Sequence, residues 1–346
     1  MDKKFFMGIA AMAALTLVSC SSDDLNSLSD NSSKNEAISF DGYLGRSAVA
    51  VNGSRGSVLE IDDLQKSKDG FGVFGNYNST GGQEFGSNLF NNVKVAYDAS
   101  AETKAWTYSP LKYWPTDGHV DFLAYAPRVD NKQLKGSSID FTVESDAANQ
   151  KDLLWANATS QTKANKTVTF NFKHALAKIG YKVQLNGDYT GTTIKLNKIT
   201  LAGSNDGKGT NKAFYKTGTI DLSYTSTTSS TTKLWTPSEE KQDFEWFSGD
   251  EQLSKTPAVE NPTTKYLFVI PQNFKTGTDQ LYVIVEYTIT YSDNTTVKTK
   301  VCKQLEKEFL QGKAYTINLT IGLTPIEFNA TVDGWGDIED YPITLE

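Results

Sequence analysis

The chain is poor in the residues that most often do chemistry. Its 346 residues include only two histidines, His119 and His174, and two cysteines, Cys20 and Cys302. That nearly excludes histidine-based triads, histidine-rich metal centres and histidine switches. It also excludes a cysteine-rich metal site and a disulfide framework, so no cofactor or metal is expected. Arginine is scarcer than charge alone would suggest. Lys and Arg total 34, yet arginine occurs only at Arg46, Arg55 and Arg128. The net charge of −7 offers no electrostatic footprint for nucleic acid or anionic lipid, so neither is an expected partner. With 41 acidic residues, some Asp/Glu pair always exists, so paired carboxylates do not point to a glycosidase and no enzyme is expected.

Long apolar runs are also missing, apart from a short one at the start. Met1–Lys4 is basic, and Phe5–Val18 is apolar but for Gly8 and Thr16. This run is shorter than the roughly 20 residues that span a bilayer. With the small residue Ser19 before Cys20, residues 1–19 read as a secretory signal peptide. The closing Leu17-Val18-Ser19-Cys20 resembles a bacterial lipobox. That resemblance implies that Cys20 receives lipid, becomes the new N-terminus and holds the chain in the outer membrane. Cys302 is then the remaining thiol, expected as a small buried apolar residue in a strand. Residues 20–35 are polar and low in complexity, a flexible tether. Their Ser-Ser-Asp-Asp start resembles the acidic export tags of surface lipoproteins.

What is abundant is strand-forming. Aromatics reach 12%, with 16 Tyr and 18 Phe, and Ser and Thr are frequent. From residue 36 the dominant period is two. Ile38, Phe40 and Leu44 alternate with polar neighbours, as do Val93, Val95 and Tyr97, then Val168, Phe170 and Phe172. Later runs at 266–270, 281–291, 315–321 and 326–332 continue the pattern. Turn signals such as Asp69-Gly70, Asp117-Gly118 and Asp293-Asn294 separate them. Many short strands with frequent turns predict an all-β chain built from sandwiches. Helical candidates are few and short, near 61–67 and 147–151. A boundary near 172–175 divides the chain into an N-terminal sandwich domain, 36–172, and a C-terminal one, 173–346. The Ser/Thr tract 223–232 reads as a hairpin tip. Trp106 and Trp114 are expected in a core with local acceptors for their indole N–H groups, and His174 as a structural histidine.

Several stretches together resemble the fimbrillin-like family of bacterial pilins, also called type V pilins. They are Ala105-Trp-Thr-Tyr-Ser-Pro-Leu-Lys-Tyr-Trp-Pro115 with Val120-Asp-Phe-Leu-Ala-Tyr-Ala-Pro127, and Val168-Thr-Phe-Asn-Phe-Lys-His-Ala-Leu-Ala-Lys-Ile179. Tyr266-Leu-Phe-Val-Ile-Pro-Gln272, Gly312-Lys-Ala-Tyr-Thr-Ile-Asn-Leu319 and Val332-Asp-Gly-Trp335 follow in order. The resemblance implies two tandem transthyretin-like β-sandwiches in a lipoprotein precursor of a surface fimbria, with a role in adhesion. It also implies maturation by a protease that cuts after an Arg behind the first strand. The groove so opened is filled by a C-terminal strand of another subunit.

Matching positions exist in this sequence. The leaving strand is 36–44, with Ile38, Phe40 and Leu44 facing inward. Arg46 follows it directly in a Gly-Arg-Ser-Ala loop, and Arg55 is a second candidate. Donor candidates are the alternating Tyr341, Ile343 and Leu345, or a longer donor that includes 326–335. The competing reading is a surface lipoprotein that does not polymerise and binds glycans on exposed Trp and Tyr.

Overall fold

The computed structural model describes residues 36–44, 61–100, 105–225, 233–260, 266–323 and 327–334. The chain is nearly all β. In its first part β1 is Ser39–Leu44, α1 Ile61–Lys66, β2 Phe71–Asn78, β3 Phe90–Asp98 and β4 Ala105–Thr107. These are followed by β5 His119–Ala126, β6 Ser138–Thr142, β7 Leu154–Gln161 and β8 Thr167–His174. After Ala175-Leu176 come β9 Ala177–Leu185, β10 Thr193–Ala202, β11 Phe214–Tyr215, β12 Thr217–Asp221 and β13 Trp235–Pro237. Then follow β14 Lys241–Gln242, β15 Phe244–Gln252, β16 Val259–Glu260, β17 Leu267–Val269, β18 Gln272–Asn273 and β19 Tyr282–Thr290. The last are β20 Thr296–Gln304, β21 Glu308–Phe309, β22 Lys313–Ile321 and β23 Glu327–Gly334.

The first part forms one seven-stranded sheet, ordered β1-β8-β7-β5-β2-β3-β4. It curls until its ends approach. Ala37 bridges to Tyr113, the Ile38 N–H donates to the Lys112 carbonyl (2.9 Å), and the Trp114 N–H donates to the Glu36 carbonyl (3.0 Å). Inside lies a core that includes Ile38, Phe40, Phe71, Phe90, Phe122 and Phe170. The helix α1 adds Leu64 to it. Gly70 opens β2 at φ +56°, and a Cβ there would sit 2.0 Å from the Val95 carbonyl oxygen, so the expected Asp-Gly turn requires glycine.

The central strand β5 is buried on both faces. Val120, Phe122, Ala124 and Ala126 enter the first core, while Leu123 and Tyr125 enter a second. That second core lies between two sheets, β15-β10-β19-β20 and β16-β9-β22-β23, with β17 also on β9. Ile194, Leu196, Val283 and Val285 from one sheet are buried with Ile179, Val183, Ile317 and Leu319 from the other. Period-two alternation thus becomes one apolar face per strand, as a sandwich requires. A three-stranded sheet, β13-β12-β6, pairs a strand from before residue 172 with two from after it.

Three local expectations meet different outcomes. The second helical candidate shortens to a 3-10 turn, Ala147–Asn149, capped by Asp146, whose Oδ1 accepts from the Ala148 N–H (2.9 Å). The Ser/Thr tract does connect a hairpin, β12 with β13, but residues 226–232 of it lie outside the described residues. Cys302 is exposed, not buried. It sits on β20, the last strand of its sheet, on the outward face, while its neighbour Val301 packs against the second core; alternation alone does not distinguish such a strand from an inner one.

Candidate functional site

The site is the seat of β1. A run of alternating residues makes this segment a strand, and its inner face is strictly periodic. Ile38, Phe40, Gly42 and Leu44 are buried, while Ser39, Asp41 and Tyr43 face out. β1 lies parallel to β8, from Ser39 opposite Thr167 to Leu44 opposite Phe172. Among the described residues, β8 is the only strand laddered to it. A parallel ladder is slightly weaker per residue than an antiparallel one.

Side chains supply the rest of the grip. The Phe40 ring lies 5.4 Å from Phe90, 5.4 Å from Tyr108, 5.5 Å from Phe122 and 5.7 Å from Phe170, centroid to centroid. Such edge-on and stacked pairs add about 0.5–1.5 kcal/mol each beyond burial. Gly42 passes beneath Trp106 and Phe172, where an added Cβ would lie 3.6 and 3.5 Å from their rings, at ordinary contact distance. Tyr108 closes the site by donating from its hydroxyl to the Ile38 carbonyl (2.7 Å). Burial pushes the Tyr108 phenol above its ordinary pKa. On the outer face Ser39 Oγ donates to the Lys166 carbonyl (3.0 Å) and lies 2.9 Å from Thr167 Oγ1.

The structure therefore buries Ile38, Phe40 and Leu44 side by side. Arg46 and Arg55 follow β1 in sequence but lie outside the described residues, as do Cys20, Tyr341, Ile343 and Leu345. Residues 327–334, weighed as part of a donor, form the resident strand β23, antiparallel to β22 from Thr320–Glu327 to Lys313–Gly334. Sequence alternation could not separate a resident strand from a donor, because both need the same pattern.

Other polar groups are structural. Asp121 is buried and accepts from Asn78 Nδ2 (2.6 Å), the Glu84 N–H (3.1 Å) and the Ser160 N–H (2.7 Å), with His119 Nε2 at 3.2 Å. His174 Nδ1 lies 2.7 Å from Asp152 Oδ2, in keeping with a structural histidine. No group of His, Cys, Asp and Glu among the described residues could hold a metal ion. No helix among them is long and apolar enough to cross a membrane.

Trp106, Trp114, Trp155, Trp235 and Trp246 are all buried, so none of these indoles offers a face for sugar stacking. Trp235 Nε1 donates to the Ala175 carbonyl (2.7 Å); among the described residues the buried Trp114 N–H finds no acceptor, contrary to expectation, and neither does that of Trp155.

Comparison with known proteins fits this architecture. Residues 59–335 match the model of the fimbrillin-like family. The chain is 26% identical to the fimbrium subunit Fim1C of Phocaeicola vulgatus, over 98% of each chain. A crystal structure of a candidate cell adhesion protein from Bacteroides uniformis covers 87% of this chain and 99% of its own, with 18% identity and a TM-score of 0.50, a likeness of fold. A corresponding protein from Bacteroides ovatus covers 88% and 99% at 15% identity and a TM-score of 0.49. The family is one of structural fimbrial proteins, and the chain is not an enzyme. With its matched region covering most of its length, the chain belongs to the fimbrillin-like family.

Proposed function

We propose that this chain is a structural subunit of a cell-surface fimbria with a role in adhesion, made as a lipoprotein precursor and assembled by strand exchange. Cys20 carries the lipid that holds the precursor in the outer membrane. A protease cuts after Arg46, with Arg55 as the second possible site. The cut turns β1 from a covalent part of the sheet into a dissociable peptide. A strand of another subunit then takes its place, with Tyr341, Ile343 and Leu345 as the donor's alternating residues. The fimbrium subunit of Phocaeicola vulgatus supports the fimbrial part of this reading.

The observation that carries the mechanism is the way β1 is held. It makes one parallel ladder, to β8, and seats Ile38, Phe40 and Leu44 in the first core. Burying three such side chains is worth roughly 5–8 kcal/mol gross, enough to hold the precursor closed. Removing the strand exposes that apolar surface and an unpaired edge of β8, which favours capture of another strand. Since 327–334 already serve as β23, the donor in this reading is the segment beyond it.

The test is digestion of the precursor with an Arg-specific protease, followed by SDS gels without boiling. The parent should lose its N-terminal segment and form ladders. Arg46→Ala should remain uncut at that bond and run as a single chain on the gel. If Arg46→Ala assembles like the parent while Arg55→Ala does not, the cut is at Arg55. If neither change matters, the strand-exchange reading fails.

A further inference from the structure

The sheet β15-β10-β19-β20 is antiparallel throughout and has two open edges. Among the described residues, β15 pairs only with β10 and β20 only with β19. The edges carry opposite charge. β20 presents Lys298, Lys300 and Lys303, and β15 presents Glu245, Asp250 and Glu251. Lys298, Lys300, Asp250 and Glu251 make no ion pair among the described residues.

The charges also continue across the sheet between these edges. Glu245 Oε2 lies 2.5 Å from Lys198 Nζ on β10. Lys198 stands opposite Glu286 on β19, and Glu286 opposite Lys300 on β20. Lys198 is laddered to Ser248 of β15, and Glu245 to Thr200 of β10, so the ion pair is diagonal; through it the series reads acid, base, acid, base and ends with a different sign at each edge. Opposite charges facing across strands stabilise a pair, and like charges destabilise it.

We propose that these edges join copies of this chain, β20 of one against β15 of the next. Successive strands reverse direction, so β15 and β20 run in opposite senses. A second copy displaced along the sheet, without rotation, therefore sets its β15 antiparallel to the first copy's β20. The ladder and the charge alternation both continue. Pairing β20 with β20 would set lysine against lysine, and β15 with β15 acid against acid, so the edges select each other and reject themselves. Such a head-to-tail contact is heterologous and propagates instead of closing into a dimer. It lies away from the β1 seat and does not depend on strand exchange.

The test is sedimentation velocity of the full chain carrying Cys20→Ser, which leaves Cys302 as its only thiol. Mass should rise with concentration at low salt and fall to the single chain near about 0.5 M salt. Two variants follow, each checked for native circular dichroism. One replaces Lys298, Lys300 and Lys303 with Glu, making both edges acidic. The other replaces Glu245, Asp250 and Glu251 with Lys, making both basic. Each alone should associate at least about tenfold more weakly, and an equimolar mixture should recover the parent's association. Unchanged association of either variant, or no recovery on mixing, overturns the proposal. A second measurement avoids charge reversal: with Ser248→Cys added, mild oxidation should give ladders joining position 248 to Cys302. Dimers linked only through Cys302 on both chains, or no links, overturn it.

Discussion

The Tyr108 hydroxyl donates a 2.7 Å hydrogen bond to the carbonyl oxygen of Ile38, at the entry to β1. Ile38 and Tyr108 are 70 residues apart, and this bond joins the two ends of the curled sheet. It is the side-chain latch of this closure, beside the backbone bonds Ile38–Lys112 and Trp114–Glu36, on a strand held as well by one parallel ladder, the Ser39 hydroxyl and its apolar side chains. Tyr108→Phe removes the latch and keeps the ring against Phe40. A loss of about 0.5–1.5 kcal/mol in stability is expected from chemical denaturation. After cleavage behind β1 the strand should also leave faster, read by fluorescence of a dye on its N-terminal segment.

Phe40 is the anchor of that strand. Phe40→Ala removes a ring in contact with four other aromatic rings and leaves a cavity among them. The precursor should lose about 3–5 kcal/mol, measured as a lower denaturation midpoint with unchanged slope. An unchanged midpoint would show that β1 is not seated as described.

Gly42 makes a finer test. An added Cβ meets Trp106 and Phe172 at ordinary contact distance, so Gly42→Ala should fold with native stability or slightly better. Gly42→Leu has no room beneath those rings, and overpacking should cost about 1–3 kcal/mol. Equal effects of the two substitutions would rule out the close approach.

Alkaline pH should weaken the second core. Burial pushes the Tyr181 phenol up to about 12 from an ordinary 10. The folded state then keeps its proton where the unfolded chain gives it up. The stabilising contribution is full below pH 10 and is lost as pH rises from about 10 to 12. The loss should be about 2–3 kcal/mol, and Tyr181→Phe should remove that part of the pH dependence in denaturation curves.

Asp121 should be the most sensitive buried carboxylate. It accepts from two backbone N–H groups and from Asn78, tying the segment after β2 and a residue of β7 to β5. Asp121→Ala leaves the buried Asn78 amide and two part-buried N–H groups without their acceptor, and a loss of about 3–5 kcal/mol is expected. Hydrogen exchange at Glu84 and Ser160 should accelerate first.

The amino-acid sequence alone determined the strand character of the chain, because a period of two needs only the order of polar and apolar residues. It placed Ile38, Phe40 and Leu44 on one face, marked the turn at Gly70 and set a strand end near His174. It also carried the lipobox-like run at Cys20 and the scarcity of arginine around Arg46 and Arg55, which are matters of composition. Tertiary structure decided which strands are neighbours. The parallel seat of β1 on β8, the curl that brings Tyr108 to Ile38 and the resident pairing of β23 with β22 all join residues far apart in sequence. It likewise decided that Cys302 is exposed, since an outermost strand and an inner one share the same alternation. Alternation says which face of a strand is apolar; only the packing of distant segments says what covers that face and which edge stays open.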